Sequence, residues 1–283
     1  MATPSTALVL GNGGIAGIGW QVGMITGLAE AGVDLRTADL VIGTSSGAVV
    51  GAQIRSELST ETLYKRQLGS LHAEIANRLT VRQLAKWAFL AGTAPNEATA
   101  VRRVANASKG KSKVDPVLRL AAVSSRLPEK KWPKKPLWIV AVDAASGKLK
   151  VFDRDSGVTL AEAVNASCAI PFAWPAASLG GHTYLDGGVR SPLNLDLAKG
   201  YDRIVGLASN ILTPRRSGKI SAQLAHLGSA KVTVIHPDEH CRKAIGPNEL
   251  DPARVHGAAE TGRAQAEKYV HAVRAVWPTE TES

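Results

Sequence analysis

The sequence predicts an α/β domain, and three observations predict it. Short apolar segments closed by glycine alternate with helical segments from the first residues onward. Hydrophobic residues make up 45% of the chain, enough to bury a full core. No repeat or linker interrupts the 283 residues, so 1–283 reads as a single domain.

In chain order, Ala7–Gly11 reads as a buried strand, short, apolar and ended by glycine. Trp20–Ala31 is a helix stopped at Gly32. Asp39–Gly43 ("DLVIG") is a second strand and Ser45–Arg55 a second helix. From about Thr60 to Leu127 the pattern is helical with no strand, read as an insertion (about 60–135) lying over one end of the sheet. Strands return at Leu137–Val142 and Leu149–Phe152, joined by a turn at Ser146–Gly147. Thr183–Leu185 leads into Asp186, and Arg203–Ala208 and Lys231–Ile235 are further buried strands. Pro252–Val276 closes the chain as a helix, with Pro278 beyond its end.

Composition narrows the function. Cys168 and Cys241 form no disulfide framework, so a reduced, cytoplasmic setting is expected. The start lacks a basic n-region, and no apolar stretch approaches the ~18 residues a membrane span needs. The net charge of +10 is concentrated: eleven Lys/Arg between Arg102 and Lys135 face only Asp115 and Glu129. That run lacks the interleaved aromatics of a nucleic-acid binder, so no nucleic-acid partner is expected. No Cys/His/Asp group has metal-ligand spacing, and neither metal nor cofactor is expected.

Chemistry enters with the stretch "LVLGNGGIAGIGW", Leu8–Trp20. Gly11, Gly13 and Ala16 match the dinucleotide pattern G-x-G-x-x-A, but the next strand ends in "GTSSG" with no carboxylate for a ribose. "ANASKGKS", Ala105–Ser112, fits a relaxed P-loop but has no strand before it. Gly43-Thr44-Ser45-Ser46-Gly47 is G-x-S-x-G between a strand and a helix, the context of a nucleophile elbow. The bland alternative makes Ser45 an ordinary helix N-cap. An acyl-transfer serine needs backbone N–H groups aimed at the oxyanion, and the glycine loop can bring Gly13 and Gly14 to it. "YLDGGV" supplies Asp186 at a strand end, followed by Gly187 and Gly188. An Asp-Gly turn alone would look the same.

These stretches together resemble the patatin-like phospholipases, bacterial members included. The ordered set is a glycine-rich loop (Gly11–Gly17), a G-x-S-x-G elbow (Gly43–Gly47) and a D-G-G segment (Asp186–Gly188). "NASCAIPFAWP" (Asn165–Pro175) and "GPNELDPARVHGAAETGRAQAE" near the end extend the likeness over most of the chain, least over Thr60–Lys135. The resemblance implies a three-layer α/β/α fold related to the α/β-hydrolases. It also implies a Ser–Asp dyad without histidine that hydrolyses acyl lipids without calcium. Ser45 would be the nucleophile, Asp186 the base, and Gly13 and Gly14 the oxyanion hole, with Gly11, Gly17, Gly43, Gly47, Gly187 and Gly188 supporting the turns. Two residues depart from the pattern. Asn12 stands where members usually carry glycine, an exchange that tolerance of the left-handed region permits. Ala16 stands where many carry an arginine.

Two other readings remain open at this level. His236 follows a late strand, as the histidine of a Ser45–Asp186–His236 triad would, and His182 lies near Asp186 in sequence. A non-catalytic lipid- or nucleotide-binding protein is the other. The partner expected is an acyl-lipid substrate. The segment 102–135, with Trp132 and Trp138 as interfacial anchors, is a candidate for peripheral contact with anionic membrane. The sequence leaves the oligomeric state open.

Overall fold

The computed structural model describes residues 4–69 and 74–277; Pro278 and the part of the helical stretch at 70–73 lie outside the described residues. The elements run β1 (Thr6–Leu10), α1 (Gly14–Glu30), β2 (Leu40–Thr44), α2 (Ser46–Ile54), α3 (Thr60–Leu68), α4 (Val81–Gly92), α5 (Glu97–Ser108) and α6 (Pro116–Ser125). They continue with β3 (Leu137–Asp143), β4 (Leu149–Phe152), α7 (Leu160–Ser167), β5 (Ala177–Leu179), β6 (His182–Asp186) and β7 (Arg203–Leu207). The chain closes with α8 (Ile220–Leu224), β8 (Lys231–Ile235), α9 (Glu239–Ile245), α10 (Val255–Ala266) and α11 (Val270–Arg274).

Eight strands make one mixed sheet, ordered β5-β6-β3-β2-β1-β7-β8, with β4 also paired to β3. The centre is parallel: β1 pairs with β2 and β7, β2 with β3, and β7 with β8. Antiparallel pairings join β3 to β4 and β6, and β5 to β6. Every residue of β1 is buried, which is why it reads as an unbroken apolar run rather than an alternation. Its side chains divide between two cores. Leu8 and Leu10 meet Trp20, Met24 and Leu28 on the α1 side, and Ala7 and Val9 meet Leu193, Leu195 and Ile204 on the other.

Helix α1 begins at Gly14, six residues before the expected start at Trp20. Its glycines weaken the helical signal, each costing up to ~1 kcal/mol in propensity, because they are placed for packing. A Cβ at Gly19, Gly23 or Gly27 would fall 2.4, 2.1 and 2.5 Å from the carbonyl oxygens of Val255, Ala259 and Arg263. The glycine stripe therefore lets the backbones of α1 and α10 touch.

The helical stretch is helical as expected, with no strand among its described residues. It does not form one slab over the sheet end. Leu63 and Tyr64 of α3 belong to the main core, whereas α4 and α5 build a separate cluster with Val142, Phe172 and Leu185. The expected closing helix is broken, since a short 3-10 turn, Glu267–Tyr269, separates α10 from α11. Helix α7 was not expected. Its capping box, Thr159 with Glu162, was the available signal.

Replacing Gly23 with alanine should reveal the close packing through the sign of its effect. Propensity alone would stabilise the helix by ~1 kcal/mol. The contact with Ala259 O should instead destabilise the fold by ~2 kcal/mol or more, read as a lowered Tm in thermal unfolding.

Candidate active site

Ser45 sits at the junction of β2 and α2 with φ 57° and ψ −119°, a strained conformation for a residue other than glycine. Its side chain makes no capping bond, so the N-cap reading does not account for it. The turn closes because its flanks are bare. A Cβ on Gly43 would lie 2.5 Å from Gly47 O, and one on Gly47 would lie 2.1 Å from Leu10 O. Both glycines thus serve backbone contact: Gly43 against the start of α2, Gly47 against β1.

Three bonds hold the strained residue. Ser45 N–H donates to Ser167 Oγ at 2.9 Å, and that hydroxyl donates to Val140 O at 2.6 Å, standing between β2 and β3 where their pairing ends. The Cys168 thiol donates to Ser45 O at 3.3 Å. Burial pushes this thiol up to about 12, so it remains a protonated donor at neutral pH. The next residue, Ala169, accepts a bond from Asp186 N–H at 3.1 Å. One segment following α7 therefore grips both Ser45 and Asp186.

Sheet register explains how residues so far apart in sequence meet. Ile139 and Val140 pair with β2 and with β4, and Ala141 pairs with β4 and β6. Strand β6 consequently lies along the same edge of β3 as β2 and runs towards it. Thr44 is opposite Val140 and Asp186 opposite Ala141, so the two strands end against each other. Behind the junction, Asn194 Nδ2 donates to Thr44 Oγ1 at 3.0 Å and Gly187 O at 3.3 Å. Asn194 is fully buried, left-handed, and tied through Oδ1 to Arg190 at 2.8 Å. It bridges the residue before Ser45 and the residue after Asp186, and no motif in the sequence pointed to it.

Asp186 is 2% exposed. Its Oδ1 accepts from Gly188 N–H at 2.6 Å, whereas Oδ2 has no hydrogen-bond partner among the described residues, and no standard hydrogen bond to the serine is closed. Burial pushes the carboxyl up to about 7, outweighing the Ser45 hydroxyl, the Gly188 N–H and the charge of Arg119, which pull it down.

The glycine loop packs against this centre. Gly11 O accepts from Gly47 N–H at 3.1 Å, Gln21 Nε2 at 2.8 Å and Ser46 Oγ at 3.1 Å. Ser46 thus acts as a tie between loop and elbow. Gly13 precedes α1, and Gly14 opens it at φ 60°, where a Cβ would lie 2.4 Å from Glu249 O. Asn12 is not at positive φ, so the left-handed tolerance expected of it is not used; Gly14 carries that conformation. The N–H groups of Gly13, Gly14 and Ile15 have no intrachain acceptor among the described residues, as at any uncapped helix start. Gly17 packs 3.2 Å from Ser209 Cβ, judged by its missing Cβ, and Gly187 packs against Val140 O at 2.6 Å in the same sense.

A narrow pocket opens on Ser45 and Gly14, with about 320 Å³ of space between atoms, part of it open to solvent. Ile15, Ile18, Ile75, Ile170, Trp174 and Leu250 give it an apolar wall. Two residues of the basic run line it as well. Arg119 is 3% exposed and lies over the Trp174 ring at 4.0 Å, and Arg126 is paired with Glu74. A charge count alone could not distinguish these inward arginines from the surface lysines. The Trp anchors also fail as surface groups. Trp132 donates to Val158 O at 2.8 Å and packs on the main core, and Trp138 lies in β3 against the second core.

The histidines are elsewhere. His236 follows β8, three strands from β2 and roughly 14 Å away at usual strand spacing, on the side opposite β6. His182 starts β6 at the end remote from Asp186, with Nδ1 3.1 Å from Asp143 Oδ2. The P-loop-like Ala105–Ser112 begins inside α5, with helix and not strand before it.

A parallel-centred sheet with helices on both faces and a strained serine turn at the end of a central strand is the frame of an α/β hydrolase. The family described as Patatin-like phospholipase matches residues 8–199, and the chain belongs to that family; by class it is a lipid acyl hydrolase. Solved structures of similar shape include VipD from Legionella pneumophila, 14% identical with a TM-score of 0.46 over 96% of this chain and 67% of that one. The type III effector protein ExoU is 16% identical, with a TM-score of 0.43 over 96% and 53%. The chain therefore spans about two thirds and about half of their lengths. No curated protein sequence matches it. Among the described residues, no helix is long and apolar enough to cross a membrane.

The raised Asp186 carboxyl makes a stability prediction. Its folded value, about 7, exceeds the ordinary 3.8, so the folded state binds more protons between these limits. Its favourable contribution is fully present below pH ~4 and is lost as pH rises through 7, by up to about 4 kcal/mol. Asp186→Asn carries no such penalty. Its Tm should match the parent near pH 4 and exceed it increasingly up to pH 8, measured by parallel thermal unfolding across pH.

Proposed function

We propose that the protein cleaves acyl esters of lipids through an acyl-enzyme on a Ser45–Asp186 dyad, without calcium. The observation that carries this reading is the strained Ser45 held against a buried carboxyl poised near pH 7. A base with that value can take a proton at neutral pH and return it. In this reading Ser45 Oγ attacks the ester carbonyl as Asp186 Oδ2 takes its proton. The oxyanion is received by the Gly13 and Gly14 N–H groups, and the N-terminus of α1 favours its charge. The leaving alcohol departs with the proton from Asp186, and the acyl group stays on Ser45. Water then attacks the acyl-enzyme by the same proton path and releases the fatty acid. The apolar pocket wall suits an acyl chain. Gly11, Gly17, Gly43, Gly47, Gly187 and Gly188 serve as supports for the turns.

The reading includes peripheral contact with an anionic lipid surface. Val117 and Leu118, 74% and 63% exposed, sit on α6 beside exposed Lys109, Lys111 and Lys113, on the helix that carries Arg119 inward. Three lysines at ~1 kcal/mol each would favour anionic over neutral membrane roughly 100-fold. Liposome co-sedimentation should show binding that falls with salt and with removal of anionic lipid; binding indifferent to both removes this part of the reading.

The chemistry is tested by labelling and kinetics. A fluorophosphonate should modify Ser45 and not Ser46, by mass mapping. Asp186→Asn should lower kcat at least ~10³-fold on a short-chain ester, while His236→Gln and His182→Gln retain most activity. For the parent, kcat/KM should rise with pH to a plateau above an apparent pKa near 7, because the base acts unprotonated. A folded His236→Gln as inactive as Asp186→Asn would replace the dyad with a triad.

A further inference from the structure

Gly13 and Gly14 carry no side chains, so nothing within the glycine loop fixes the direction of their N–H groups, and glycine is the most permissive residue of all. The fixing comes from two segments outside the loop. A Cβ on Gly13 would collide with Ser209, and one on Gly14 with Glu249. Ser209 and Asn210 follow β7, and Glu249 lies in the connection between α9 and α10. Each segment also bonds the main chain of the loop. Asn210 N–H donates to Asn12 O at 3.2 Å, and Ala16 N–H donates to Glu249 O at 3.0 Å. These two bonds bracket residues 13–15, the ones whose N–H groups are left without an acceptor among the described residues.

A single side-chain bond joins the two brackets. Asn210 Nδ2 donates to Glu249 Oε1 at 2.9 Å. The asparagine is itself oriented, since its Oδ1 accepts from Leu212 N–H at 2.8 Å. Glu249 is half-buried, and among the described residues its side chain bonds only to Asn210. Burial pushes this carboxyl up from its ordinary value, and the Asn210 amide pulls it down. A negative group beside Gly14 opposes an oxyanion there, so electrostatics does not account for Glu249, whereas its bond to Asn210 does. We propose that Asn210 and Glu249 are positioning residues for the oxyanion hole: their bond closes a brace around residues 12–16 that holds the Gly13 and Gly14 N–H groups in the direction that receives the oxyanion. The proposal rests on the reading of those N–H groups as the oxyanion donors. A misplacement of about 1 Å in such a group costs roughly 100-fold in rate, so the brace acts on kcat and leaves substrate binding largely unchanged.

The test is steady-state kinetics on a short-chain ester, with thermal unfolding to confirm that each variant is folded. Asn210→Ala and Glu249→Ala should each lower kcat at least about tenfold with KM within about threefold of the parent. The double variant should be no worse than either single one, because both remove the same bond. Glu249→Gln keeps an acceptor and should retain kcat within about threefold. Asn210→Asp sets two carboxylates face to face and should be at least as impaired as Asn210→Ala. Combining Asn210→Asp with Glu249→Gln restores the bond with donor and acceptor exchanged, and most of kcat should return. A general loss of packing would not be reversed by that exchange. A trifluoromethyl ketone, which forms an oxyanion adduct on the serine, should lose affinity for Asn210→Ala in proportion to kcat/KM. Additive losses, an unchanged kcat in Asn210→Ala, or a folded exchanged pair no better than Asn210→Asp overturns the proposal. Where an alanine variant does not fold, the comparison of Asn210→Asp with the exchanged pair decides. Fluorophosphonate labelling of the parent keeps the two readings apart. Labelling at Ser45 with kcat indifferent to these variants removes the brace alone; absence of labelling removes the hydrolase reading itself.

Discussion

The backbone of Ser45 is held in a conformation that costs of order 1–3 kcal/mol, and much of the surrounding structure is arranged to hold it there. Strand β2 must stop at Thr44, and it stops because the Ser167 hydroxyl occupies the space between Ser45 N–H and Val140 O. Helix α2 must start at once, which requires bare backbone at Gly43 and Gly47. Strand β6 then fills the edge of β3 that β2 vacates, arriving from the opposite direction. The meeting of Ser45 and Asp186 is thus a consequence of strand termination, and neither side chain has to reach far.

The same packing that positions these groups also charges them against solvent. Asp186 Oδ2 and the Nε and Nη1 of Arg119 are buried without partners among the described residues, and such groups ordinarily lower stability. Their cost is borne by well-packed surroundings: the close contact of α1 with α10, the two apolar cores on either face of the sheet, and the Asn194 bridge beneath the junction. A carboxyl with a value near 7 is present in both forms at neutral pH, so it can accept a proton and give it back. Stability is lower because of that burial, and the burial is what tunes the group.

Much of this was legible in residue types and order. The G-x-S-x-G turn, the loop glycines and Asp186-Gly187-Gly188 were found as local patterns, and the structure brings them to one place. Most strands were visible because the central ones are buried on both faces and uniformly apolar. The misses also have physical causes. Helix α1 was read six residues short because its glycines answer to α10, far along the chain. Helix α7 was passed over although its capping box was present; Ser167–Ala169 stood out only for family likeness within Asn165–Pro175, and its grip on the site was not foreseen. Asn194 left no local trace, since its partners Thr44 and Gly187 are distant or backbone.

Sequence by itself determined the class: an α/β chain with an elbow serine, a glycine loop and an aspartate in family order, because tight turns demand glycine at fixed spacing wherever they occur. Tertiary structure decided which charged groups face the pocket. Arg119 and Arg126 belong to the same basic run as Lys109 and Lys111, yet two point inward and two lie exposed. The histidines were decided in the same way, His236 following β8, with β1 and β7 lying between that strand and β2. Charge and residue type are local properties that a sequence displays directly. Burial and strand register arise from contacts between residues more than a hundred positions apart, and those exist only once the chain has folded.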